Sequence, residues 1–362
     1  MNKILILGNG QIGTAFNTLL DCVLGKSGTV RDIAISSSLR GNLCSEIVDV
    51  YSELGGDPSV DKLSELIKEK RASIVINALP FFLVEKVAKA AYNNECSYID
   101  FTEDDDAAKK AYVIYKDKAH LSCAPKCGVA PGFINYVGNS LAKSIDKPET
   151  LMMSVGALPQ TINYSSNSVD ATYSLSWSVD GLVNEYLKPC NVRINGKNLK
   201  VPALTSLETV VLEGKMYEAA FTSGGAGTLL EDLSNVQNVF YKTLRYPGHF
   251  AYVKDAIKRH NSSFDKIKEE FLSIYPLDDQ DCVTIYSYCV GRNAKKQLVK
   301  KSYHDTFYGA AGLSAIQTIT AASALAILEL IVQKKLSGCI RHNHIDISDF
   351  YNTAAYSFFF QK

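Results

Sequence analysis

The stretch Lys3-Ile4-Leu5-Ile6-Leu7-Gly8-Asn9-Gly10-Gln11-Ile12-Gly13 decides how the first part of this chain folds. A short apolar run, residues 3–7, stops at a glycine, which is how a strand buried on both faces of a parallel sheet reads. Helical periodicity begins next, over residues 14–24. Between them the three glycines have separate tasks. Gly8 permits a tight turn, Gly10 lets the backbone approach a pyrophosphate, and Gly13 lets the helix lie close to its strand. The phosphates would rest on the first helical turn, where the N–H groups of Gln11, Ile12 and Gly13 and the helix dipole favour negative charge. Such a loop is specific only inside a strand–helix–strand unit.

That unit is present. Residues 61–70, 83–93 and 104–118 read as helices. They alternate with short strand-like runs at 33–35, 73–78, 97–101 and 120–124. The alternation predicts an α/β fold, a Rossmann-type doubly wound parallel sheet. Beyond Pro131 the pattern becomes α+β. Strand-like runs fall at 151–157, 208–212, 216–221 and 282–290, and residues 179–186 read as a helix. Asn195-Gly196 marks a hairpin within 192–201. An Ala-rich helical pattern over 312–335 is expected to return to the first domain. With 362 residues, two domains are expected. Their predicted bounds are 1–130 plus 310–362 for the dinucleotide-binding domain and 131–309 for a substrate-binding and dimerisation domain on a mixed sheet.

Composition narrows the partners. Lys plus Arg and Asp plus Glu both number 38, so no general field gathers nucleic acid or an anionic membrane. The nine cysteines show no Cys-x-x-Cys pair, which fits reduced thiols in the cytoplasm rather than a zinc site. The apolar start is too short for a signal peptide, and residues 318–332 fall short of a bilayer span. A small-molecule substrate is expected, with no metal, no nucleic acid and no membrane.

The predicted strand at 33–35 ends in Ser36-Ser37-Ser38-Leu39-Arg40, with no carboxylate to take a ribose 2′-hydroxyl. Ser36, Ser37, Ser38 and Arg40 suit a 2′-phosphate, so the residues point to NADP, with NAD as the alternative.

Further stretches carry a family likeness. They are Asn77-Ala78-Leu79-Pro80, Lys126-Cys127-Gly128-Val129-Ala130-Pro131-Gly132, Trp177-Ser178, Thr222-Ser223-Gly224-Gly225 and Thr243-Leu244-Arg245-Tyr246-Pro247-Gly248-His249. In order and content the chain resembles the saccharopine dehydrogenase-like reductases, and within them the L-lysine 6-dehydrogenases. The resemblance implies hydride transfer at the C–N bond of an amino acid, a nicotinamide cofactor and a homodimer. Saccharopine-forming members typically have an acidic residue where this chain has Ala130, which favours the lysine type. A saccharopine- or carboxynorspermidine-type reductase and a non-catalytic nucleotide-sensing protein are the alternatives.

Chemistry and position single out the candidate site residues. Asn77, Ala78, Leu79, Pro80 and Gly128 are expected beside the nicotinamide half of the cofactor. Arg245 offers a bidentate fork to a substrate carboxylate, at the start of a helical region. His249 titrates near neutrality and is a candidate acceptor for the amine proton. Asp100 ends a strand at the sheet's carboxyl edge, to hold an ammonium or to cap the next helix. Thr102, Trp177, Ser223 and Gly224 are candidate pocket walls.

Overall fold

The computed structural model describes residues 2–25, 43–161 and 172–360. Its first strands and helices alternate as β1 (Asn2–Leu7), α1 (Gln11–Val23), β2 (Leu43–Val48), α2 (Val50–Leu54), α3 (Val60–Lys70), β3 (Ile74–Asn77), α4 (Val84–Asn93), β4 (Ser97–Asp100), α5 (Asp105–Tyr115), β5 (Ser122–Ala124) and α6 (Phe133–Lys143). The middle of the chain carries β6 (Lys147–Pro159), α7 (Val179–Leu187), β7 (Cys190–Ile194), β8 (Lys197–Val201), β9 (Glu208–Leu212), β10 (Lys215–Phe221), α8 (Leu229–Asp232), β11 (Asn238–Arg245), α9 (His249–Arg259), α10 (Phe264–Ile274), β12 (Asp281–Arg292) and β13 (Leu298–Tyr308). It ends with α11 (Ala315–Val332), β14 (Gly338–Cys339), α12 (Ile347–Tyr351) and α13 (Ala354–Phe359). Two compact units result, Met1–Phe133 with Gln317–Lys362, and Ile134–Ile316.

The first unit is a doubly wound sheet in the order β14-β5-β4-β3-β1-β2, every pair parallel. Its inner strands β1 and β3 are buried on both faces because helices cover both, and Ile4 to Leu7 have no exposure. From β1 the chain goes first to β2 on one side and then to β3 on the other. A ligand crevice forms at the carboxyl ends of strands where the order reverses in this way. The glycines suit that place. Gly8 has φ +104°, and a Cβ there would stand 3.0 Å from the Ala78 carbonyl oxygen in the loop after β3. A Cβ at Gly13 would overlap the carbonyl oxygen of Gly8.

On the side of β1 away from β3 the described partner is Leu43–Val48, and the run expected at 33–35 lies outside the described residues. Two-residue β14 was also not foreseen, being too short to show a pattern. The second unit is a mixed sheet in the order β13-β12-β6-β11-β10-β9, in which β6 and β11 run parallel. β7 and β8 form the expected hairpin, with Asn195 at φ 50° and Gly196 at φ 77°. Such paired positive φ values define the turn that matches strand twist. The segment expected to become helical at Arg245 is instead the end of β11, and the helix starts at His249.

Helix α11 is 18 residues long and apolar enough to cross a membrane by length and composition, but 89% of it is buried in the protein. It is a core helix, apolar all round for that reason. Its one acid, Glu329, is buried and accepts the amide of Ala354 at 2.8 Å and the Gln333 side chain at 3.1 Å. The close strand–helix approach gives a stability test. Gly13→Ala should cost about 1–3 kcal/mol by overpacking, read as a lower urea midpoint. Gly10→Ala, whose Cβ would meet nothing within 4 Å, should leave the midpoint unchanged.

Candidate active site

At the carboxyl edge of the first sheet, α1 opens on Gly10 with no side-chain oxygen capping its first turn. Space is open where a Gly10 Cβ would stand, so a dinucleotide pyrophosphate fits this turn. Asp49 follows β2 directly. Its Oδ2 accepts from the Asn9 side chain at 3.2 Å, within the glycine loop. Hydrogen bonds from Ser52, and then Asn9, hold its carboxyl below the usual carboxylate range.

Behind this edge runs a buried polar chain. Asn77 Nδ2 donates to the Tyr98 hydroxyl at 2.9 Å, and Tyr98 donates to Asp100 Oδ2 at 2.8 Å. Asp100 Oδ1 accepts the amides of Thr102 and Lys126, both at 2.9 Å. The Asn77 Oδ1 takes the Leu79 amide at 3.1 Å, which shapes the Asn77-Ala78-Leu79-Pro80 loop. Asp100 therefore neither meets solvent nor caps a helix, since Asp104 caps α5 itself. Burial raises its pKa against those hydrogen bonds. Its role here is positioning, in place of the expected ammonium contact. Thr102 is buried beside it and takes the Asp104 amide at 3.2 Å. Buried Lys126, at φ 65°, reaches Asp105 at 2.9 Å. The loop after it is tight. Gly132 has φ +136°, and a Cβ there would overlap the Gly128 carbonyl, which takes the Phe133 amide at 2.9 Å.

The second unit holds a different cluster. Arg245, at the end of β11, is buried, and its Nε donates to the Tyr186 hydroxyl at 2.9 Å. It also donates to Glu185 Oε2 at 3.3 Å and to the Leu244 carbonyl at 3.0 Å, with its guanidinium 4.8 Å from the Tyr173 ring. Glu185 in turn accepts from Thr222 at 2.9 Å and from Thr243. Burial disfavours the Arg245 charge, but Tyr186, Tyr173 and Glu185 outweigh it and raise its pKa.

His249 has no exposure. Its Nε2 lies 2.9 Å from the Tyr186 hydroxyl and its Nδ1 3.4 Å from that of Tyr275. Burial, then the Arg245 charge, pulls its pKa well below the ordinary histidine value. Enclosed and neutral, with tyrosines at both nitrogens, it orients Tyr186 and is not placed to take a proton from a substrate. Half-buried Trp177 donates to the Tyr173 hydroxyl at 2.8 Å, and its ring occupies the space a Gly181 side chain would need. Ser223 bonds the Asn184 carbonyl at 3.2 Å, and Gly224 turns at φ +94°.

The first unit thus gathers Gly8, Gly10, Gln11, Ile12, Gly13, Asn77, Ala78, Leu79, Pro80, Asp100, Thr102 and Gly128, and the second gathers Trp177, Ser223, Gly224, Arg245 and His249. Ser36, Ser37, Ser38 and Arg40 lie outside the described residues. Sequence reasoning missed Asp49, Tyr98, Glu185 and Tyr186. Glu185 had one legible signal, an acid on the apolar face of a short amphipathic helix.

Residues 128–354 match the family described as saccharopine dehydrogenase C-terminal domain, well over half of the chain. The chain belongs to the saccharopine dehydrogenase-like family. A solved saccharopine dehydrogenase (L-Glu forming) from Saccharomyces cerevisiae shares the fold, with TM-score 0.68 at 14% identity over 97% of this chain and 96% of that one. A meso-dapdh mutant with DAP from Clostridium tetani E88 is more distant, at TM-score 0.45 and 12% identity over 98% and 97%. Fold and family are those of an oxidoreductase with a nicotinamide cofactor.

The buried imidazoles make stability depend on pH. In the first unit His342 Nε2 lies 3.1 Å from the Lys126 carbonyl, and burial lowers its pKa to about 3. The unfolded chain, with histidine near 6.5, binds that proton first, so stability is full above about pH 6.5 and is lost as pH falls towards 3. The loss should be about 1.4 kcal/mol per pH unit for such a group. Urea midpoints between pH 7 and 5 should fall less steeply in His342→Gln than in the wild type.

Proposed function

We propose that this oxidoreductase of the saccharopine dehydrogenase-like family oxidises an amino acid at a C–N bond, in the manner of a lysine 6-dehydrogenase. The observation that carries the reading is Arg245. Of the five N–H donors of a guanidinium, the described residues take three, at Tyr186, Leu244 and Glu185. Two are left for a planar, bidentate carboxylate. Ala130, in the tight loop before Pro131, offers no acid of the kind associated with saccharopine formation, which supports the lysine type over that alternative.

A bound nicotinamide supplies the hydride acceptor. The amine carbon gives up its hydride, the nitrogen gives up a proton, and water hydrolyses the resulting imine to an aldehyde and ammonia. The chain's own contribution is binding and orientation. The turn from Gly8 to Gly13 holds the pyrophosphate. Asn77, Tyr98 and Asp100 fix the loops that border the nicotinamide half, Leu79-Pro80 and Gly128 among them. Tyr186 and Glu185 fix the Arg245 fork, and Trp177 lends an apolar wall.

Asp49 supports NAD over NADP. It follows the strand beside β1, a position that favours a contact with a ribose 2′-hydroxyl over a 2′-phosphate. Two measurements test the reading. Absorbance of reduced nicotinamide with a panel of amino acids should rise fastest with L-lysine. Arg245→Lys, which keeps the charge and loses the fork, should then raise KM about tenfold. Silence with every amino acid would refute the reading. Titration should show NADH bound more tightly than NADPH, a preference that Asp49→Asn lowers about tenfold. Tighter NADPH, weakened by Arg40→Ala, would establish the NADP alternative.

A further inference from the structure

Glu218 lies directly opposite Arg245 in the antiparallel pair of β10 and β11, so the two side chains leave the same face of the sheet. Directly opposed residues have Cβ atoms about 5 Å apart. One carboxylate oxygen of Glu218 accepts the Gly248 amide at 3.0 Å, which draws it to the turn leading into α9. The other, Oε2, is shielded from solvent and has no hydrogen-bond partner among the described residues. A buried carboxylate oxygen left without a donor is costly, and in a folded protein it calls for a specific cause.

Charge identifies the missing donor. Arg245 is neutralised by Glu185, which lies 3.3 Å away and is tied to Thr222 and Thr243. Glu218 is then a surplus negative charge beside a balanced pair. An ionised carboxylate only accepts hydrogen bonds, and a compact cation with several N–H groups answers both its charge and its open lone pairs. An α-amino acid head group carries a carboxylate and an ammonium on one carbon. The cross-strand pair places a guanidinium and a carboxylate on one face of the sheet.

We propose that Glu218 seats the α-ammonium of the substrate, the amine that does not react, and so makes the site selective for α-amino acids over simple amines. This rests on the amino-acid reading above. It separates the two amines of lysine by chemistry. The α-amine stays charged on Glu218, while the distal amine is left to lose its proton and hydride.

The test compares L-lysine with 6-aminohexanoate, which keeps the carboxylate and the distal amine and lacks the α-ammonium. The wild type should favour lysine by about 100-fold in kcat/KM. Glu218→Gln retains an oxygen for the Gly248 amide and loses the charge. It should cut lysine turnover to within about threefold of 6-aminohexanoate and leave the latter unchanged. Glu218→Asp should keep part of the preference. Calorimetric binding of L-lysine to the cofactor-free protein should weaken in parallel. A folded Glu218→Gln enzyme that still favours lysine as the wild type does would overturn the assignment alone. A wild type inert to both compounds would overturn the amino-acid reading and this assignment with it.

Discussion

The carboxylate of Asp100 is the tie on which the cofactor edge of the first sheet depends. It has almost no exposure, and it converts one strand end into a template for two loops. Its Oδ1 gathers the amides of Thr102 and Lys126, and its Oδ2 reaches Asn77 through Tyr98. Buried polar chains of this kind hold only when each member is satisfied, and then they fix one arrangement. Loop backbones that border a ligand need such support, since short parallel strands alone do not specify the path of the chain beyond their carboxyl ends. The same logic explains why Lys126 tolerates a left-handed conformation, anchored at its amide, its ammonium and its carbonyl.

The second unit solves a related problem with charge. A buried guanidinium is expensive unless paired and hydrogen-bonded. Arg245 is paired with Glu185, bonded to Tyr186 and faced by the Tyr173 ring. His249 belongs to this arrangement as a neutral member, packed 4.9 Å from Tyr173 between centroids. Removing one partner would leave the other charged and enclosed, so the cluster is expected to behave as a unit under mutation. Glu218 stands apart from that set, with one oxygen unbonded among the described residues.

Much of the fold was legible in the sequence because it rests on local pattern. The strand ending at Gly8, the alternation of strands and helices, the Asn195-Gly196 hairpin and the long helix after residue 312 all express periodicity or turn chemistry within a few residues. The family likeness rested on short loops around glycine and proline, where the backbone admits few substitutes. The site was less legible. Asp100, Arg245 and His249 were singled out as residue types suited to chemistry, and the structure shows that burial and partners decide their use. A histidine enclosed by Tyr173, Tyr186 and Tyr275 has the same letter as one open to solvent.

By itself the sequence determined the dinucleotide-binding architecture, the mixed second sheet and the family, since each arises from residues near one another in the chain. Only the tertiary structure decided that Leu43–Val48, which Asp49 follows, lies beside β1. It also decided that Arg245 meets Glu185, 60 positions away, and faces Glu218 across two strands. Sheet register and burial are set by contacts between distant segments, and those contacts fix which charges are paired and which remain to meet a ligand.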